Sequence, residues 1–155
     1  MKQQLGKNDV WQLNEMIKRS FRMAYPVQPR ERVELVDNQI YLIDNRPAWV
    51  KFEGRLIPAL NYLLESNFLK KVVVDMGAIQ YVTSGADVFR PGIKSIDESI
   101  VKDEIIAIVD ERHDKPLAVG IAMMSGPDMK AVEKGKVIKI VHYVGDRIWD
   151  FTKTI

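Results

Sequence analysis

The sequence predicts an α+β protein of two small units: an N-terminal α/β unit over residues 1–71 and a small, closed, mixed barrel over residues 72–155. Three observations carry that expectation. A helix-spaced apolar stretch precedes short strand-like segments split by turn residues. From residue 72 onward, β-branched runs alternate with glycine and polar turns, giving about six short strands and two short helices. Charge divides at the same place: residues 1–71 carry 12 Lys/Arg and 8 Asp/Glu, a net of +4, whereas residues 72–155 carry 11 and 13, a net of −2. A chain of 155 residues buries roughly 70% of its unfolded surface and needs no staple.

The elements follow in order. Asn8 can cap a helix, with Asp9 in its first turn; Val10, Leu13, Ile17 and Phe21 repeat at helical spacing with Met16 beside them. This predicts a helix over about 8–22, ahead of Pro26 and Pro29. Its basic residues Lys18, Arg19 and Arg22 suit the negative end of the helix dipole, or an RNA or partner contact. Strands are expected over 32–36 and 39–43 around an Asp37-Asn38 turn, and over 48–52 after Asp44-Asn45-Arg46-Pro47, a three-stranded meander. Pro58 can start a helix through Leu60, Leu63 and Leu64 that Asn67 ends.

In the second unit a strand over 72–74 leads into a short helix over 77–85, capped by Asp75 and ended by Gly85. Residues 87–89 form a brief strand and Arg90-Pro91-Gly92 a turn. Strands over 104–109 and 117–124 follow. Ser125 and Asp128 have capping-pair spacing with Pro127 between them, opening a helix that Gly135 closes. A strand over 136–143, a Gly145-Asp146 turn and a last strand over 147–151 complete the barrel.

Composition removes whole classes of chemistry. With no cysteine there is no disulfide, thiolate zinc site, iron–sulfur cluster or cysteine nucleophile. His113 lies in a polar turn and His142 in a strand, neither at metal-ligand spacing. Ser84-Gly85 lacks the G-x-S-x-G frame, and Gly77, Gly85 and Gly92 are too far apart for a nucleotide loop. No catalytic residue, metal ligand or cofactor is therefore expected, nor enzymatic activity. The N-terminus has no apolar signal core, and the longest apolar stretch, 117–124, is eight residues against the about 20 a membrane span needs. A cytoplasmic protein without a membrane is expected. A net charge of +2 excludes a polybasic coat but permits a local basic patch, and Lys134, Lys136 and Lys139 are either such a patch or a solvated strand face.

The informative stretch is Asp75-Met76-Gly77-Ala78 through Ser84-Gly85-Ala86-Asp87 to Pro91-Gly92, whose loop amides could meet phosphate oxygens. Together with the 105–109 strand, Ala118-Val119-Gly120-Ile121 and Gly135-Lys136-Val137, it resembles the PUA domain, the pseudo-barrel of pseudouridine synthases and archaeosine transglycosylases. Upstream, Asn45-Arg46-Pro47-Ala48-Trp49-Val50 and Pro58-Ala59-Leu60-Asn61-Tyr62-Leu63-Leu64 are similar to the malignant T-cell amplified sequence family, as are Ile140-Val141-His142-Tyr143, Asp146 and Ile148-Trp149 downstream.

That resemblance implies a pre-PUA domain followed by a PUA pseudo-barrel. It further implies a non-catalytic RNA-binding protein of translation, contacting a tRNA acceptor end or ribosomal RNA. The partners it implies are RNA, the small ribosomal subunit and a density-regulated-type protein, with the chain a monomer in isolation. Residues carried over as RNA-binding are Gly77, Ala78 and Tyr81 on the helix, Ser84, Gly85, Ala86, Asp87, Arg90, Pro91 and Gly92 on the loop, and Lys139, His142 and Tyr143 on the late strand. Met76 stands where relatives carry lysine, removing one phosphate contact, and Arg90 can restore one. Two other roles stay open: a module docking a ribosomal or initiation-factor partner, and an accessory subunit of an RNA-modification enzyme.

Overall fold

Three tight hairpins build the N-terminal unit. A computed structural model describes residues 1–22 and 27–151. Strands β1 (Lys2–Gln4), β2 (Val33–Val36), β3 (Ile40–Ile43), β4 (Arg46–Phe52) and β5 (Arg55–Pro58) form one antiparallel sheet in that order. The turns Asp37-Asn38, Asp44-Asn45 and Glu53-Gly54 each hold two consecutive residues at positive φ, the last pair at 45° and 77°. That geometry matches the right-handed twist of the flanking strands. The meander is thus four strands, β2 to β5, rather than three, and β1 adds a fifth strand to the sheet beside β2. Pro58 ends β5 opposite Trp49 instead of starting a helix, which an edge strand tolerates.

Helix α1 (Lys7–Ser20) starts one residue before Asn8, after Gly6, and buries Leu13 and Ile17. Pro26 lies outside the described residues. Helix α2 (Leu60–Glu65) buries Leu60 and Leu63. Trp49, wholly buried, is ringed by Phe21, Tyr62 and Phe68 at 5.3, 5.4 and 5.8 Å between centroids.

The second sheet comprises β6 (Lys71–Val74), β7 (Val88–Phe89), β8 (Ile93–Ile96), β9 (Ile105–Asp110), β10 (Pro116–Ala122) and β11 (Lys136–Tyr143). Its order is β7-β11-β10-β9-β6-β8, with β6 and β9 parallel and the other pairs antiparallel, giving a nearly closed barrel. Helix α3 (Ile79–Val82) follows a 3-10 turn at Met76–Ala78. Helix α4 (Gly126–Ala131) is capped by the Ser125 hydroxyl, which accepts from the Asp128 amide at 3.2 Å.

The expected number of barrel strands holds, but one strand is exchanged. Residues 147–151 are helix α5 (Arg147–Phe151), because Asp146 accepts the Trp149 amide at 2.8 Å and the Tyr143 amide at 3.0 Å, capping a helix where a strand was expected. The sixth strand is β8, where Ile93 and Ile96 are buried and the two residues between are exposed; an irregularity at Val73/Val74 in its partner breaks the simple alternation.

The two units share β9. Ile106 and Ile108 point into the barrel core, whereas Ile105, Ala107 and Val109 join the cluster around Trp49. A strand apolar on both faces is what two packed layers require. His142 adds a polar latch: its Nε2 accepts the Leu60 amide at 3.0 Å, and its Nδ1 lies 2.8 Å from Asp146. Because Leu60 N–H can only donate, the neutral ring carries its proton on Nδ1 and donates it to Asp146. Among the described residues no helix is long and apolar enough to cross a membrane.

Candidate nucleic-acid interface

Short helices and turns at the C-terminal end of β6 leave a groove of about 560 Å³. Asp75 builds one wall. Its carboxylate accepts the Ala78 amide at 2.9 Å, and its own amide donates to the Gly92 carbonyl at 3.0 Å, so residues 75–78 and 90–92 are tied together. Tyr81 projects from α3 and is 61% exposed; Phe89, at the end of β7, is 51% exposed. Both rings line the groove, with Val82 and Val88 as its buried floor. The Lys136 ammonium stands 6.0 Å from the Phe89 ring centre. Among the described residues no lysine or arginine lines the groove itself. Two open aromatic rings over an apolar floor can stack unpaired bases, whose faces are alike across sequences.

Seven of the sequence-predicted residues meet here: Gly77, Ala78, Tyr81, Ala86, Asp87, Pro91 and Gly92. Asp87 also accepts the Ile140 amide at 3.1 Å, extending the β7–β11 ladder beyond its two-residue strand. Ser84 is exposed but its hydroxyl donates to the Tyr81 carbonyl at 2.8 Å, closing α3. Gly85 sits at φ 87°, and a Cβ there would lie 2.7 Å from the half-buried Tyr143 ring. Tyr143 therefore supports the loop from beneath.

Three residues lie elsewhere. His142 is 1% exposed and both ring nitrogens are engaged in the latch, so it presents nothing to RNA. The Arg90 side chain donates from Nε to the Met129 carbonyl at 2.8 Å and from Nη1 to the Ile93 carbonyl at 3.4 Å, staying outside the groove lining. Lys139 leans toward the N-terminal unit, 3.8 Å from Glu53 and over the Phe52 ring. Sequence reasoning missed Phe89; the available signal was the alternation Asp87-Val88-Phe89, which turns Val88 in and Phe89 out.

The PUA domain family matches residues 70–144. An uncharacterized protein of Methanocaldococcus jannaschii is 43% identical over 152 residues, 95% of this chain and 94% of its own. Translation machinery-associated protein 20 of Saccharomyces cerevisiae is 32% identical over 74% of this chain and 67% of its own. Malignant T-cell-amplified sequence 1 of Rattus norvegicus is 38% identical over 63% of this chain and 56% of its own. A hypothetical protein from Pyrococcus horikoshii has the same fold, with a TM-score of 0.82 at 30% identity covering 98% of this chain and 99% of that one. With six barrel strands preceded by a separate five-stranded sheet, this chain belongs to the PUA-domain proteins of the malignant T-cell-amplified sequence and translation machinery-associated protein 20 family.

Proposed function

We propose that the protein is a non-catalytic, cytoplasmic RNA-binding protein of the translation machinery that holds an unstacked RNA end in the Tyr81–Phe89 groove. The observation that carries this reading is the pair of open rings on one apolar groove. A folded protein normally buries such rings, and base stacking is the contact they serve. The name of one relative, translation machinery-associated protein 20, favours ribosomal or tRNA targets. Gly77, Ala78, Ala86, Pro91 and Gly92 shape the walls, while Ser84, Gly85, Asp87 and Tyr143 hold the loop that presents them.

The test is a titration of the protein with tRNA and with the same tRNA trimmed of its unpaired 3′ nucleotides. The intact tRNA is expected to bind more tightly. Equal affinity for both would remove the groove from RNA recognition.

A second reading, a docking module for a ribosomal or initiation-factor partner, is favoured by Trp11, 62% exposed on α1. A partner that survives nuclease treatment and is lost with Trp11→Ala supports it.

A further inference from the structure

The base groove poses a charge problem. Affinity for RNA comes largely from neutralised phosphates, yet among the described residues no cation lines the groove and Arg90 is tied to carbonyls. A second cleft, of about 610 Å³, opens where α1 ends against the β4–β5 hairpin and the start of β9. Four cations line it: Arg19, Arg22, Arg55 and Lys70. Its single carboxylate, Glu104, is already engaged by Lys70 at 3.1 Å and by the Val101 amide at 2.9 Å.

Arg55 spends one donor on the Asp103 carbonyl at 2.7 Å and keeps the rest of its fork. Arg19 and Arg22 are exposed, and neither guanidinium has an ion-pair or hydrogen-bond partner among the described residues. Arg19, in the last turn of α1, and Arg22, just past the Phe21 cap, both suit the negative end of the helix dipole. Beneath the charges lie Phe21, Leu56, Leu69 and Ile105, all buried. An apolar floor keeps water from one side of the cations and strengthens their hold on an anion. Guanidinium forks match phosphate oxygens two at a time.

Lys70 and Asp75 bracket β6, so the cleft and the groove stand at opposite ends of one strand, roughly 17 Å apart at about 3.3 Å per residue. Resting on the RNA-binding reading above, we infer that the cleft is a second, sequence-independent site that takes the sugar–phosphate backbone of RNA. The groove receives bases and the cleft supplies the charge.

The experiment uses the full chain and two RNAs: a short blunt-ended duplex, which offers the groove no unpaired base, and the same duplex with a single-stranded 3′ overhang. Arg19→Gln with Arg22→Gln is expected to weaken duplex binding about tenfold or more and to lower the slope of log affinity against log salt by about 2. Arg19→Lys with Arg22→Lys keeps most of the affinity, which separates charge from folding. Tyr81→Ala leaves duplex binding unchanged and removes only the gain conferred by the overhang. Unaltered duplex affinity and salt slope in the glutamine variant would overturn the cleft assignment and leave the groove untouched. Loss of the overhang's gain in that variant, with duplex binding intact, also counts against it. Selective capture of a polyglutamate peptide in place of the duplex makes the cleft a protein site and overturns it too.

Discussion

In the N-terminal unit, Phe21, Trp49, Tyr62 and Phe68 pack against one another with ring centres 5.3–5.8 Å apart, and Trp49 has no exposure at all. In the barrel, Tyr81 and Phe89 face water. The residue types are the same; the backbone beneath them is not. The first set brings together the sheet (Trp49), the end of α1 (Phe21), α2 (Tyr62) and the segment after it (Phe68), so every ring meets another. The second set sits on a four-residue helix and a two-residue strand, elements too short to be covered by a neighbour. Aromatic rings left open on short elements are free to meet a ligand, whereas rings enclosed between the sheet and its helices hold the fold.

The largest expected effect breaks the enclosed cluster. Trp49→Ala removes a fully buried ring and should cost about 3–5 kcal/mol, read as a shift of the urea midpoint. Among the described residues the indole N–H has no partner. Trp49→Phe relieves a buried unsatisfied donor worth about 1–3 kcal/mol and should cost far less. If Trp49→Ala costs no more than a surface substitution, the cluster is not what holds the unit.

Those two regions were not equally legible. The core of the N-terminal unit follows from apolar spacing and from Asp-Asn turns, which announce hairpins locally. The Glu53-Gly54 hairpin escaped because glutamate seldom takes the left-handed first position. The groove was readable because its glycines, Tyr81 and Pro91 lie within sixteen residues of Gly77. His142 was not readable: its partner Leu60 is 82 residues away, and no local pattern reports a contact of that span. Arg90 and Lys139 went astray for the same reason, drawn to Met129 and to Glu53 across the fold. The α5 helix had a local signal, Asp146 as a cap, but a run of mixed residues after a glycine turn reads equally as a strand.

Between the clusters lies the latch, and its expected effect is intermediate and set by pH. Burial raises the Asp146 carboxyl, but hydrogen bonds from His142 and from the Trp149 and Tyr143 amides outweigh burial and hold it below its ordinary 3.8. A carboxylate lowered by folding stabilises the native state above that unfolded value. The contribution is lost as pH falls through the lower, folded value. Denaturant melts over a falling pH series should therefore show an acid limb that Asp146→Asn flattens. An unchanged limb would mean that the Asp146 carboxylate contributes nothing to the latch.

The smallest expected effect on folding belongs to the open rings, and there the ranking inverts. Tyr81→Ala and Phe89→Ala should each move stability by no more than about 0.5 kcal/mol, because most of each ring is already in water. Each should nevertheless cost an RNA end about 1–3 kcal/mol of stacking, some 5- to 150-fold in affinity. The double variant decides how the groove is used. If one base lies between the two rings, removing either ring already frees it, and the combined loss falls short of the sum. If each ring carries its own base, the losses add. Either result keeps the contrast between enclosed and open rings; a Tyr81→Ala variant that loses as much stability as Trp49→Ala, yet still folds and binds RNA as before, would dissolve it, because Tyr81 would then belong to the same class as Trp49.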